Sequence, residues 1–150
     1  MLIPLTEIFE FKNGKSLELT NCEIVENGIP FVSRTSENNG IAAYVLELDY
    51  QEPMPSNCIT VALGGSVLSS FFQVRSFYTS FHIQCLYPKT VLNTQEMLFY
   101  CTVIEANKYR YNYGRQANKT LKNIRVPAPS EIPAYIKNYQ SQQNISQVLL

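Results

Sequence analysis

The amino-acid sequence predicts one α+β domain with a twisted, mainly antiparallel sheet and a few helices. The chain has 150 residues, 45% hydrophobic and 16% charged, which is typical of a folded domain with a core. Several short runs before residue 90 are rich in β-branched and aromatic residues, as strands are. Apolar residues then follow a helical spacing from residue 93, and one more strand-like run comes after it. Strands followed by a helix and a further strand favour the α+β class.

The first elements are predicted from turn signals and alternation. PLTEIFEF, residues 4–11, predicts a short helix or turn that ends at the Asn13-Gly14 turn signal. Residues 29–35 and 41–48 predict two strands, joined by SENNG, in which Asn39-Gly40 suits a tight turn.

Two further β-rich stretches follow. CITVALGG, residues 58–65, predicts a strand that two glycines end. Residues 69–88 place Phe, Val, Tyr and Ile in rough alternation and predict one or two more strands, with His82 hydrogen-bonded and half-buried in one of them.

The pattern changes at Asn93, which is a candidate helix N-cap with Glu96 as its capping partner three residues later. Apolar residues at 97, 100, 101 and 104 continue the helical spacing, so the helix is expected to end near Lys108. LKNIRVPAP, residues 121–129, predicts a last strand ended by prolines, and another helix can begin after Pro133.

Charge is strongly segregated along a chain that is neutral overall, with 12 basic and 12 acidic side chains. Residues 1–52 hold nine acidic and three basic groups, whereas residues 53–150 hold three acidic and nine basic groups. Residues 108–125 alone carry six basic side chains and no acidic one, interleaved with tyrosines. Such a protein can attract a polyanion to its positive end and repel it from its negative end.

The four cysteines are widely spaced in apolar contexts and predict buried, reduced thiols in a cytoplasmic protein. No Cys-x-x-Cys pair occurs, and the single histidine cannot complete a zinc site with them. No apolar run is long enough to span a membrane, and no signal peptide is recognised.

Catalytic patterns are scarce, so the sequence indicates a binding protein with no cofactor and no metal. A Ser-His-Asp triad could use only Asp49 and His82, and no Gly-x-Ser-x-Gly elbow exists. Glu10-Phe11-Lys12 has the Glu-x-Lys spacing of a metal-dependent nuclease but no aspartate upstream. ALGGSVLSS lacks the Gly-Lys-Ser/Thr ending of a phosphate loop.

Several polar stretches between the strands carry side chains suited to nucleic acid. Arginine can fork onto guanine or phosphate, asparagine pairs with adenine, and short hydroxyl groups bind phosphates. The glycines at 64–65 allow a backbone to approach a ligand closely. The candidate DNA-binding residues are Arg34, Thr35, Ser36, Asn38, Asn39, Gly65, Ser66, Arg75, Arg110, Tyr113, Arg115 and Lys119.

The order of these stretches is similar to that of a known family. Six stretches follow one another over about residues 5–130. In order, they are IFEFKNGK, IPFVSRTSENNGI, ITVALGGS, SFFQVRSFYTSFHIQCL, the helix from Asn93 and YGRQANKTLKNIRVPAPS. The chain thereby resembles the target recognition domain of DNA specificity (S) subunits of type I restriction–modification systems, or its equivalent in type IIB and IIG enzymes. Each motif is degenerate alone, and the specificity lies in having them all in order.

The resemblance implies a non-catalytic module that reads one half of a bipartite target on double-stranded DNA and directs a methyltransferase or endonuclease to it. It places the DNA-facing loops at Arg34–Asn39, Gly64–Ser66, near Arg75 and at Arg110–Lys119. Gly114 and Leu121–Pro127 are implied to be framework, with Ile124 and Val126 in the core.

The same resemblance implies partners and a domain division. Residues 1–130 would be the recognition domain, and residues 131–150 the start of a helical spacer or tail. Full specificity subunits carry two such domains separated by long helices, on which methyltransferase (M) subunits dock and with which restriction (R) subunits can assemble. Here 18 residues run from Pro133 to Leu150, so the chain is expected to be a half-subunit, an excised fragment or a truncated product, with a second recognition domain or a homodimer as a further expected partner.

Two other readings stay open at this point. Ten tyrosines could serve as stacking platforms of a non-catalytic carbohydrate- or peptide-binding β-rich domain. A small nuclease could use Glu10, Glu23 or Glu26 with Mg²⁺.

Overall fold

The computed structural model describes residues 1–111 and 120–138, in which nine strands and three α-helices are found. The helices are α1 (Leu5–Ile8), α2 (Thr94–Glu105) and α3 (Ala134–Lys137). The strands are β1 (Leu2–Pro4), β2 (Phe9–Asn13), β3 (Ile24–Val32), β4 (Ile41–Val45), β5 (Cys58–Ala62), β6 (Ser70–Gln73), β7 (Tyr78–Thr79), β8 (Ile83–Pro88) and β9 (Arg125–Pro127).

The strands form three sheets. The largest has the order β2-β8-β5-β6 and is antiparallel throughout. A second has the order β4-β3-β7, in which β3 and β7 run parallel. In the third, β1 pairs with β9 and so joins the first residues to residues 125–127. The predicted α+β fold with a mainly antiparallel sheet is confirmed.

Strand β5 lies at the centre of the core and is buried over its whole length. Because side chains alternate along a strand, its two faces contact different groups of residues. Ile59 and Val61 pack in a large cluster with α1, α2 and β9, whereas Cys58 and Ala62 pack with Val32 and other residues of a second cluster. The four-stranded sheet is therefore covered on both faces.

Helix α2 forms where the sequence predicts it. The Glu96 backbone N–H donates to Asn93 Oδ1 at 2.8 Å, and the Asn93 N–H donates to Glu96 Oε1 at 2.9 Å, which completes the capping box. The helix ends at Glu105, and a 3-10 turn follows at Lys108–Tyr111. Its buried residues are those of the predicted apolar spacing, namely Met97, Tyr100, Cys101 and Ile104.

The prediction of one helix or turn over residues 4–11 is wrong in its second half. Only α1 is helical, and Phe9–Asn13 forms β2, paired with β8. Phe9 and Phe11 face inward while Glu10 and Lys12 are exposed, so this short segment alternates as a strand does. A four-residue helix offers too little sequence for its period to be separated from that alternation.

The connection between β3 and β4 also differs from the expected tight turn at Asn39-Gly40. Strand β3 begins at Ile24, with a bulge that places both Ile24 and Ile29 opposite Val45, and it ends at Val32. Eight residues, 33–40, separate it from β4, and the Ser33 N–H donates to the Gly40 carbonyl at 2.8 Å to close them. A longer loop has therefore formed in place of a two-residue hairpin.

His82 is not half-buried in a strand, as alternation suggested. It is exposed, has a φ of 61°, and occupies the turn between β7 and β8. Asparagine and histidine enter this left-handed region more often than other non-glycine residues, and nothing in the alternation of residues 78–85 reveals it.

The other end of the chain agrees in part with its prediction. Leu121–Asn123 forms a 3-10 turn, so the strand predicted over residues 121–129 is confined to β9. Ile124 and Val126 are buried, and α3 begins directly after Pro133, as expected.

Three of the four cysteines are buried thiols, and Cys22 is partly exposed. Burial raises the pKa of the Cys101 thiol to about 12, and the nearby Glu105 charge acts in the same direction. A hydrogen bond with Cys58, together with burial, raises the pKa of the Cys85 thiol as well. These thiols stay protonated and unreactive near neutral pH. Within the described residues, no helix is long and apolar enough to cross a membrane.

The packing of α2 on the sheet generates a test of stability. Tyr100 stacks edge-on against Phe9 with ring centroids 5.4 Å apart, and its hydroxyl donates to the Pro127 carbonyl at 2.8 Å. Tyr100→Phe keeps the ring contact and removes the hydrogen bond, so we expect a loss of about 1 kcal/mol in the free energy of unfolding, measured by urea denaturation.

Leu98→Ala is the matched control on the same helix, because Leu98 is 44% exposed. It should change the free energy of unfolding by less than about 0.5 kcal/mol. Equal stability of Tyr100→Phe and the wild type would show that the bond to β9 does not hold α2 in place.

Candidate nucleic-acid interface

Two of the predicted DNA-facing stretches are loops that meet at one end of the sheets. The first, residues 33–40, connects β3 to β4 and is called the Arg34 loop. The second, residues 63–69, connects β5 to β6 and is called the glycine loop. Strand β3 lies in one sheet and β5 in another, and Val32 and Ala62, the last residues of these strands, pack in the same apolar cluster. This packing brings the starts of the two loops close together.

The two loops are in direct backbone contact. The Ser66 N–H donates to the Arg34 carbonyl at 3.1 Å. Gly65 has a φ of +59°, and a Cβ placed on it would lie 3.0 Å from both the Cβ and the carbonyl oxygen of Arg34. Only glycine accepts this conformation and this spacing without strain. Two predicted stretches about 30 positions apart in the sequence are therefore neighbours in the fold.

The Arg34 loop is also anchored on β6. Asn39 Nδ2 donates to the Phe72 carbonyl at 3.3 Å, and Gln73 Nε2 donates to the Asn39 carbonyl at 2.9 Å. Asn38, Asn39 and Gly40 all have positive φ, between 53° and 77°. The amide of Asn39 thus holds the loop in a left-handed turn, which is a structural task.

The remaining predicted side chains of this loop have different surroundings. Arg34, Ser36 and Asn38 are exposed. Thr35 is partly buried, and its hydroxyl oxygen accepts from the Glu37 N–H at 3.2 Å. The Arg34 loop therefore presents a guanidinium, a hydroxyl and an amide to solvent on a fixed backbone.

The start of the basic segment reaches the glycine loop from α2. Lys108 Nζ donates to Ser69 Oγ at 3.3 Å and also lies 3.3 Å from Glu105 Oε1. Glu105 in turn accepts from the Ser70 N–H at 3.5 Å. Sequence reasoning did not single out Lys108 as a site residue, although it lies within the run of six basic side chains. The ion pair is partly exposed, so it orients Lys108 more than it stabilises the fold.

Arg110 lies two residues further, in the 3-10 turn. Its Nε donates to the Tyr109 hydroxyl at 3.1 Å, and its guanidinium carbon is 5.5 Å from the centroid of that ring. Stacking of this kind limits the freedom of an exposed arginine. Arg110 thus continues the positive surface that begins at Lys108.

Arg75 is oriented differently from the other candidates. Its Nη2 donates to the Gly28 carbonyl at 3.2 Å, near the bulge of β3. Arg75 lies two residues after Gln73, whose side chain binds the Arg34 loop. Arg75 therefore lies at the border of the interface. The predicted residues Tyr113, Arg115 and Lys119 lie outside the described residues.

Five of the nine acidic side chains of residues 1–52 lie in or next to strands β3 and β4. Glu23, Glu26, Glu47, Asp49 and Glu52 are all exposed there. Among residues 1–111 and 120–138, no three His, Cys, Asp or Glu side chains lie close enough to hold a metal ion. Glu23 and Glu26 are therefore not gathered with Glu10 into a metal centre in this part of the chain.

Comparison with known proteins identifies the family. The family model of the type I restriction modification DNA specificity domain matches residues 1–149. The type II restriction enzyme BgcI specificity subunit S.BcgI of Heyndrickxia coagulans is 24% identical over 157 residues, which cover 93% of this chain and 46% of that protein.

Solved structures show the same fold at low sequence identity. The type I restriction–modification S subunit from M. genitalium matches with a TM-score of 0.65 at 17% identity, over 98% of this chain and 40% of that one. The HsdS subunit from Thermoanaerobacter tengcongensis matches with a TM-score of 0.67 at 18% identity, over 98% and 38%.

The chain spans less than half the length of each of these relatives. The family match covers nearly the whole chain and leaves the carbohydrate- or peptide-binding alternative without support. The chain belongs to the family of type I restriction modification DNA specificity domains.

Proposed function

We propose that this chain is the non-catalytic module of a restriction–modification complex that reads one half of a bipartite sequence on double-stranded DNA. The observation that carries the proposal is the backbone contact between Arg34 and the glycine loop, with Lys108 on Ser69. Together these contacts bring an exposed arginine, a glycine-lined backbone and the start of a basic segment to one surface.

The two sides of this surface suit different parts of DNA. The Arg34 loop offers Arg34, Asn38 and the exposed carboxylate of Glu37. These match guanine, adenine and the cytosine amino group, whereas a carboxylate would be repelled by a phosphate. Lys108 and Arg110 offer positive charge next to the loop and suit phosphates. We therefore assign base reading to the Arg34 loop and backbone binding to the Lys108–Tyr111 turn.

Charge segregation supports one orientation of the DNA. The exposed carboxylates around β3 and β4 repel a polyanion, while the segment from Lys108 onward attracts it. About five phosphate contacts would give a slope near −4.5 for log affinity against log salt. A single module should bind weakly, because non-specific affinities are typically about 10⁻⁴–10⁻⁶ M at physiological salt.

A second recognition domain or a second copy of the chain would raise the affinity by linking two half-sites. We propose residues 1–130 as the recognition domain and residues 131–150 as the start of a helical spacer on which methyltransferase (M) subunits, and with them restriction (R) subunits, assemble. The first residues of this spacer are anchored on the domain: Ile132 packs in the main core and Ile136 packs against it. The Lys137 carbonyl accepts from Asn93 Nδ2, and Lys137 Nζ lies 4.0 Å from Glu96 Oε2.

The proposal predicts a change in genome methylation. Deleting this gene in its source cell should abolish methylation at one short bipartite motif, and genome-wide methylation mapping with and without the gene measures this directly. Re-introduction of the gene is the control and should restore the motif. An unchanged methylome, with the gene expressed, would contradict a role in directing modification.

Substitutions in the Arg34 loop should separate base reading from loop structure. Arg34 is exposed, so Arg34→Ala should leave the free energy of unfolding unchanged and cost about 1–3 kcal/mol of binding to the preferred DNA sequence. Asn39→Ala removes the bond to Phe72 and forces alanine to a φ near 56°, so it should destabilise the fold by about 1–2 kcal/mol.

Asn39→Gly is the matched control, since glycine accepts the positive φ and loses only the side-chain bond; it should be less destabilising than Asn39→Ala. Urea denaturation and a binding titration against duplexes with single base changes are the two measurements. Equal loss of affinity for all duplexes in Arg34→Ala would reassign Arg34 to phosphate binding.

A further inference from the structure

A polar cleft of about 380 Å³ begins at Leu63, the first residue of the glycine loop, and its other walls lie outside the two loops described above. It is bordered by the end of β2, the start of β8, the residue before Gly64 and the turn Leu121–Asn123. Its walls include Phe11, Asn13, Leu63, His82, Gln84 and Lys122. This volume is within the range of about 300–1,000 Å³ that is common for small-ligand sites.

The cleft is physically joined to the proposed DNA surface. The Leu63 N–H donates to the His82 carbonyl at 2.9 Å, and Leu63 lies two residues before Gly65, which packs against Arg34. On the other side, Lys122 belongs to the same basic run as Lys108 and Arg110. The cleft therefore extends the surface of the Arg34 loop and the glycine loop to the start of β8.

The chemistry of the walls suits an anion. Lys122 is exposed, with its Nζ 5.9 Å from the centroid of the Phe11 ring, and His82 is exposed on a left-handed turn. Gln84 Nε2 donates to Asn13 Oδ1 across the strand pair β2–β8. Among the described residues that line the cleft, none carries a carboxylate. An ammonium and an imidazole on the walls of one cleft are donors that fit a phosphate oxygen.

We propose that this cleft holds a backbone phosphate of the bound DNA, with Lys122 supplying the charge and His82 a hydrogen bond. The inference rests on the proposed DNA-binding function and adds two residues to it, neither of which was among the predicted site residues. The phosphate belongs to a strand that passes from the Arg34 loop over the glycine loop to the turn Leu121–Asn123.

Removal of the Lys122 charge should weaken binding in a salt-dependent way. One fewer phosphate contact lowers the magnitude of the log–log salt slope by about 0.9. We take the wild type and Lys122→Gln to have equal affinity when their binding curves are extrapolated to 1 M salt. Compared with the wild type, Lys122→Gln should then bind a labelled duplex roughly 15-fold more weakly at about 50 mM salt and roughly fourfold more weakly at about 200 mM salt. The duplex carries the motif found by methylation mapping, and circular dichroism confirms that the variant is folded.

Lys89→Gln is the matched control, because Lys89 is exposed and follows β8 at the end opposite to His82. It should retain the wild-type salt slope. His82→Gly keeps the positive φ and removes the imidazole; a lost hydrogen bond should cost roughly 2- to 12-fold in affinity, with little change in the slope.

His82 also offers a direct signal, since it is the single histidine in the chain. Addition of the duplex to the 150-residue protein should shift its imidazole resonances, and Lys122→Gln should reduce that shift at equal DNA concentration. Inorganic phosphate, titrated separately, distinguishes a site for free phosphate compounds from a DNA site.

The outcomes are distinguishable. If the wild type binds the duplex and Lys122→Gln matches it in slope and affinity, the cleft proposal is wrong and DNA recognition stands. A His82 shift with inorganic phosphate but none with DNA would also overturn it, in favour of a small ligand. If the wild type does not bind any duplex at about 50 mM salt and the methylome is unchanged, the proposed function itself fails.

Discussion

The burial of β5 on both faces is the constraint on which the rest of the structure depends. An edge or surface strand needs only one apolar face, but every residue of Cys58–Ala62 is buried. Helix α2 covers one face and the Val32 cluster covers the other, and β6 and β8 pair with its two edges. Because so many groups fix this strand, the loop that follows it has little freedom to move as a unit.

That rigidity explains why the candidate site can be made of loops. The glycine loop leaves β5 at Leu63, and Leu68 returns the chain to the core with a φ of 66° and no exposed surface. The Arg34 loop is fixed in turn by Asn39 and Gln73 on β6. A left-handed backbone conformation at a residue other than glycine costs conformational energy, so it persists only where several surrounding contacts hold it. Such residues are frequent at functional sites. Exposed side chains such as Arg34 therefore stand on a backbone that other residues hold in place.

A net charge of zero is compatible with the proposed role, because the fold places the acidic and the basic side chains in different parts of the molecule. Carboxylates surround β3 and β4, and the basic run starts where α2 ends beside the glycine loop. Long-range attraction depends on the local potential and is screened over about 8–10 Å at physiological salt, so a basic surface acts largely independently of a distant acidic one. In the proposed role, one chain would supply both the steering and the orientation of DNA without a high overall charge.

The sequence by itself determined α2, including its capping box and buried face, and the approximate positions of β3, β4, β5 and β9, because these depend on periodicity and local hydrogen bonds. It missed β1 and β2, and it predicted one or two strands over residues 69–88, where β6, β7 and β8 form. It also identified Arg34 and Gly65–Ser66 as candidates, from residue chemistry and from the resemblance to the family. Only the tertiary structure decided that these loops touch, that Asn39 serves the backbone, and that Lys108 and the His82–Lys122 cleft adjoin them. Those relations depend on strand order and on left-handed turns, which join residues distant in the chain and leave no period in the sequence.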